Sequence, residues 1–221
     1  MAAATASMLT QTFWLRHRPA PFSLDSVPDL HNQQDLVDLL SDQVLELIET
    51  GLQTPIVLID GRAGSGKSTL ADLLQRKLFK EGESLPRVIH MDDLYLGWNG
   101  LQAGVDYLQR FILGPMSRRE GASWQEFDWA SLREGEAPER TGAWREFRGG
   151  TPLIIEGCGS LGRASAEVAN IAVWLEVDEN LRHERWLARE GGNDHWAQWA
   201  AQELEFYARE KSAELATIFG N

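Results

Sequence analysis

Thiol chemistry is nearly absent from this sequence: Cys158 is the one cysteine among 221 residues. An internal disulfide and a cysteine-rich metal cluster are thereby excluded, a usage that fits a reducing cytoplasm. Apolar runs of membrane-spanning length are missing too, so no membrane partner is expected. Cations are also in short supply. Against 33 Asp and Glu stand 21 Lys and Arg, a formal net charge of −12, and a surface of that sign repels the phosphate backbone of a nucleic acid. Any polyanion the chain holds must be met by a local positive field. What is present, 43% apolar and 24% charged residues, suffices for one substantial core. One domain is expected over residues 31–221, after a loosely held arm over residues 1–30. The arm's Ala, Ser, Thr and Pro content with Arg16, His17 and Arg18 also fits a transit peptide, but so few arginines favour an arm.

The stretch that organises the rest is Gly61-Arg62-Ala63-Gly64-Ser65-Gly66-Lys67-Ser68-Thr69. It follows the apolar run Ile56-Val57-Leu58-Ile59 and precedes Leu70, Leu73, Leu74 and Leu78 at helical spacing, which reads as strand, glycine loop, helix. Glycines let the backbone curl so that successive N–H groups converge on one anion at a helix N-terminus. In such a loop Lys67 reaches the terminal phosphates of a nucleotide and the Ser68 hydroxyl holds Mg²⁺.

Before the loop, Val37, Leu40, Val44, Leu47 and Ile48 fall on one helical face, with Asn32 as N-cap and Gly51 as C′ residue. After it, Arg87 to Met91 reads as a second buried strand ending in Asp92-Asp93-Leu94-Tyr95. Ligands of parallel sheets collect beyond the C-terminal strand ends, so this carboxylate pair is placed to meet the phosphates. Because strand side chains alternate faces, only one of the two is expected to face the transferred group; the alternative is that the pair caps the next helix. Residues 96–150 hold a short helix over Val105–Leu113 and then tryptophans, Trp124, Trp129 and Trp144, in an irregular excursion of the kind that forms lids and substrate loops. These aromatics either stack on a flat substrate or cover the core.

A third strand, Pro152 to Gly157, ends in Glu156, whose carboxylate could hold Mg²⁺ or orient a hydroxyl. Cys158 beside it reads as a small packing residue. Ile171–Val177 is a fourth strand, and Leu181–Glu190 a helix carrying Arg182, Arg185 and Arg189 and stopped by Gly191-Gly192. Those arginines either close over phosphates during transfer or form a solvated face paired with Glu184 and Glu190. A last helix from His195 to Lys211 sets Trp196, Trp199, Leu204 and Tyr207 on its core side, and Leu215–Phe219 forms a short final strand.

Taken together, the glycine loop, Asp92-Asp93-Leu94-Tyr95, Glu156-Gly157 and the arginine-bearing helix resemble the uridine kinase and phosphoribulokinase branch of P-loop kinases from about residue 55 onward. The resemblance implies an α/β, three-layer P-loop NTPase fold, a five-stranded parallel sheet flanked by helices, with ATP–Mg²⁺ as phosphoryl donor. It implies Asp92 as catalytic base and Lys67, Arg185 and Arg189 as catalytic partners. Residues 61–69 bind ATP, Ser68 and Glu156 the metal, and Asp93, Tyr95, Trp98, Asp128 and Trp129 the substrate, with residues 181–195 as a lid. Leu94 stands where the family has phenylalanine, Phe127-Asp128-Trp129 where uridine kinases carry a tyrosine-aspartate segment, and the lid arginines are spaced one residue wider. The expected activity is phosphoryl transfer to a hydroxyl of a small molecule, a nucleoside first. Pantothenate, a sugar phosphate or glycerate are alternative acceptors, and a non-catalytic ATP-binding regulator is the rival from another class. A homo-oligomer is compatible with either. No Asn-Lys-x-Asp occurs, which argues against a GTPase.

Overall fold

A computed structural model of the chain describes residues 33–221 apart from Glu83 and Glu134; the arm and the Asn32 cap lie outside the described residues. The strands are β1 (Ile56–Gly61), β2 (Arg87–His90), β3 (Ala122–Gln125), β4 (Trp144–Phe147), β5 (Leu153–Glu156), β6 (Ile171–Leu175) and β7 (Ile218–Gly220). Five of them form one sheet in the order β2-β5-β1-β6-β7, every neighbouring pair parallel. Ile59 of β1 lies beside Glu156 on one side and Val173 on the other. The loop leaving β1 therefore emerges where the strand order reverses, the position at which such sheets bind ligands.

The two-residue period of β1 divides the core into two layers. Val57 and Ile59 pack toward α1 (Gln33–Glu49) and α2 (Lys67–Lys80), among Leu40, Val44, Leu70 and Leu74. Ile56 and Leu58 face the opposite layer, which contains Leu101, Leu108, Trp186 and Phe206. The end of α1 is followed by Gly51 at φ +94°, the left-handed C′ geometry expected of that glycine.

The middle of the chain is more regular than its composition suggests. Instead of a short helix over Val105–Leu113, α3 (Leu101–Leu108) runs on through a π-turn at Gln109–Leu113 into α4 (Gly114–Ser117). The widened turn precedes Pro115, which has no N–H with which to continue the ordinary ladder. Beyond it β3 and β4 pair as an antiparallel hairpin, Trp124 opposite Arg145. Of the three tryptophans expected there, Trp124 is core and Trp144 is exposed.

The remaining helices are α5 (Arg163–Ala166), α6 (Glu179–Glu190), α7 (Trp196–Glu210) and α8 (Ser212–Leu215). Helix α6 starts earlier than its apolar pattern because the Asp178 carboxylate caps the amides of Asn180 and Leu181; Gly191, at φ +73°, ends it as expected. Two expectations for the C-terminal part need correction. Leu204 is 61% exposed rather than on the core side of α7, and Ser212–Leu215 is helical, which shifts the final strand to Ile218–Gly220. Among the described residues no helix is long and apolar enough to cross a membrane.

Candidate active site

Residues 61–68 curl between β1 and the first turn of α2. Gly64 (φ +81°) and Gly66 (φ +99°) adopt left-handed conformations that a Cβ would strain. A side chain at Gly64 would also collide with the backbone of Arg182, whereas the Cβ position of Gly66 is open, with only Arg185 nearby. Lys67 is buried, its Nζ donating to Gly61 O at 2.8 Å and Arg62 O at 3.1 Å. Burial penalises its charge, but Glu156, Asp60 and Glu203 outweigh that cost and hold the ammonium above the ordinary lysine range. Ser68 Oγ donates to Glu156 Oε1 at 3.0 Å, and His90 Nδ1 lies 2.6 Å from the same oxygen.

Strand β2 stops at His90, and Met91–Asp93 is a 3₁₀ turn. Strand alternation therefore does not apply at the carboxylate pair, and both Asp92 and Asp93 line the cleft. Asp92 is solvent-exposed and lines the cleft. Burial raises its pKa and Glu156 adds to the rise, while Arg189 and Lys67 pull it down. Burial likewise raises Asp93, helped by Glu126. Trp129 fixes the turn by donating from Nε1 to Asp92 O at 2.8 Å.

A cleft of about 640 Å³ runs from the glycine loop to these acids. Its lining joins Ala63, Gly64, Gly66, Lys67, Ser68 and Thr69 of the loop to Asp92, Asp93, Trp98 and Trp129, together with Glu156, Arg185 and Arg189. Not every expected residue presents itself there. Gly61 and Ser65 belong to the loop without lining the cleft, and Arg62 opens instead onto a neighbouring cavity of about 820 Å³, whose wall includes Arg185 as well. Tyr95 lines the cleft but is 1% exposed, and its hydroxyl is turned inward to Cys158 O at 2.7 Å, so it is a wall and not a substrate hydrogen-bonding group. Asp128 does not line the cleft: its carboxylate caps the turn Trp129–Ser131 through Ala130 N at 3.0 Å. Arg182 is buried and donates to Ala63 O at 3.2 Å and Val177 O at 3.1 Å, which removes it from any solvated lid face.

Comparison with known proteins finds likeness in structure alone. A proposed uridine kinase from Bacillus stearothermophilus superimposes with a TM-score of 0.61 at 20% identity, over 85% of this chain and 98% of that one. A proposed fructose transport system kinase from Silicibacter sp. TM1040 gives 0.58 at 22% identity, over 84% of this chain and 98% of the other. The chain has a P-loop NTPase fold. No protein-family profile and no curated protein matches it.

Several residues that build this P-loop site escaped the sequence reading. Trp186, Glu190 and Trp199 line the cleft. Behind the P-loop, Asp60 accepts from Gly61 N (2.7 Å), Leu161 N (2.8 Å), Gly159 N (3.1 Å) and Tyr207 OH (2.7 Å), joining the loop to the turn after β5 and to α7. Burial dominates these contacts and pushes its carboxyl up to about 6 from 3.8. Between those values the folded state binds more protons than the unfolded one, so this group's contribution is fully present below pH 3.8 and is lost as pH rises through about 6. Denaturation followed from pH 4 to pH 7 is expected to show a component falling by about 2 kcal/mol, most of the shift converted at 1.36 kcal/mol per unit, which Asp60→Asn abolishes. An unchanged pH profile in that variant would count against it.

Proposed function

We propose that the protein transfers the terminal phosphoryl group of ATP to a hydroxyl of an uncharged small molecule, a nucleoside first. One observation carries this: Lys67 and Asp92 line the same cleft, which the glycine loop shares with carboxylates and indoles. In this reading the loop amides and Lys67 bind and orient the β- and γ-phosphates, and the adjoining cavity beside Arg62 and Arg185 takes the rest of the nucleotide. Asp92 accepts the proton of the attacking hydroxyl. Arg185, whose Nη1 lies 3.1 Å from Gly64 O, and Arg189 stabilise charge on the transferred group from a lid over residues 181–195.

Ser68 and Glu156 suit Mg²⁺, because they offer a hydroxyl and a carboxylate 3.0 Å apart beside the P-loop. Among the described residues no group of three or more His, Cys, Asp or Glu could hold a metal ion, as fits an ion that keeps water and phosphate ligands. When bound, the ion offsets negative charge on the phosphates.

The acceptor end favours a neutral, flat molecule. Trp98 and Trp129, with the more deeply buried Trp186 and Trp199, line the cleft beside the acids. A carboxylate or phosphate on the acceptor would meet Asp92, Asp93 and Glu190 along this cleft, which sets glycerate, pantothenate and sugar phosphates behind nucleosides. ATP consumption measured with neutral nucleosides, neutral alcohols and anionic alcohols is the test. A nucleoside should raise turnover at least about tenfold over ATP alone, roughly 1.4 kcal/mol in barrier. Stimulation by anionic alcohols only would reverse the ranking. ATP binding with no stimulation by any acceptor would leave the regulator.

A further inference from the structure

We infer that Glu203 is a positioning residue for the nucleotide, acting through the P-loop from a place outside the cleft; the inference rests on the nucleotide-binding reading above. Glu203 lies within α7, 140 residues from Ala63, and is 1% exposed. Its Oε1 accepts the Ala63 amide at 2.6 Å and the Cys158 thiol at 3.2 Å, and its Oε2 pairs with Arg62 Nε at 3.2 Å. A buried carboxylate is costly unless its partners satisfy it, and here two of the three are consecutive residues of the P-loop.

The opposite end of the same residue is held as well. Ala63 O accepts from the buried guanidinium of Arg182 at 3.2 Å. Ala63 is thus gripped at its N–H by α7 and at its carbonyl by α6, the two helices that flank residues 191–195. With the Ala63 amide directed inward to Glu203 and the Ser65 amide donating to Arg62 O at 3.1 Å, the loop amides offered to an anion are those of Gly64 and of Gly66 onward at the helix N-terminus. Helix α7 also reaches the far wall: Trp199, one turn before Glu203, lines the acceptor end, and Gln202 Nε2 donates to Trp98 O at 2.7 Å. One rigid helix therefore sets the nucleotide loop and backs the acceptor wall.

The test uses the full chain and three variants, Glu203→Ala, Glu203→Asp and Glu203→Gln, with calorimetric titration of MgATP, thermal melts, and KM for ATP and for the acceptor. Loss of one partner of a buried charged hydrogen bond predicts a 10- to 100-fold weaker ATP affinity in Glu203→Ala, an estimate of about 1–3 kcal/mol. Glu203→Asp keeps the charge but draws it back by one methylene, and should weaken ATP about tenfold. Glu203→Gln can still accept the Ala63 amide and should stay within about threefold of wild type. Acceptor KM should move less than threefold throughout, a split that mere loss of folded protein would not produce. If the alanine variant melts below the assay temperature, the aspartate and glutamine variants carry the comparison. Wild-type ATP affinity in Glu203→Asp, beside a wild type that binds MgATP, overturns this inference alone. A wild-type chain that binds no MgATP overturns the proposed function and this inference with it.

Discussion

Asp92→Asn is expected to lower kcat by about 10²- to 10⁴-fold, the range of a lost general base, while KM for ATP stays within about threefold. The substitution keeps size and hydrogen-bonding reach but removes the ability to take a proton at this position. The carboxylate suits the task because burial and Glu156 raise its pKa, whereas Lys67 and Arg189 keep the rise in check. Its main chain is tethered by Trp129, so the variant should leave the cleft's shape intact. Rapid-quench measurement of a single turnover, with acceptor and ATP saturating, isolates the chemical step. A single-turnover rate within about fivefold of wild type would remove Asp92 from the role of base.

Lys67→Ala should be the other severe variant, lowering kcat/KM for ATP by about 10²- to 10³-fold, as removal of one preorganised electrostatic group does. Lys67 is the buried cation of the P-loop, and its Nζ lies on Gly61 O and Arg62 O. Phosphate oxygens would draw it off those carbonyls. Each carbonyl keeps a second donor, Tyr207 OH at 3.2 Å on Gly61 O and Ser65 N at 3.1 Å on Arg62 O, so only a modest loss of stability accompanies the kinetic defect. Lys67→Arg should not rescue it, because the guanidinium is larger and planar while the space under the loop is shaped for a compact ammonium. Steady-state kinetics over ATP concentration, with melts run alongside, separate the two effects. A kinetic loss no larger than the lost folded fraction would refute the phosphate role.

The parts of this architecture that could be read from sequence are those in which neighbours along the chain are also neighbours in space. The apolar run into Gly61-Arg62-Ala63-Gly64-Ser65-Gly66-Lys67-Ser68 fixes strand, curl and helix together, because the glycine positions and the leucine period are both local signals. Asp92 and Glu156 were legible because strand ends in a parallel sheet converge on one edge. Glu203 was not: its partner Ala63 lies 140 residues away, and a glutamate in an amphipathic helix reads as surface. Asp60 was hidden in the same way, since its contacts to Leu161 and Tyr207 span 101 and 147 residues. The β3–β4 hairpin escaped because its strands are four residues long and mix polar with aromatic residues. The motif positions of Tyr95 and Asp128 suggest substrate contacts, but local hydrogen bonds, invisible to a motif, already occupy both side chains.

The aromatic lining has an optical consequence. Four of the nine tryptophans, Trp98, Trp129, Trp186 and Trp199, surround one cavity, so a ligand entering it alters the polarity and quenching around nearly half of the chain's indole emission. The protein thus carries an unlabelled fluorescent gauge of occupancy of this cleft, and candidate ligands can be ranked by titration in a cuvette.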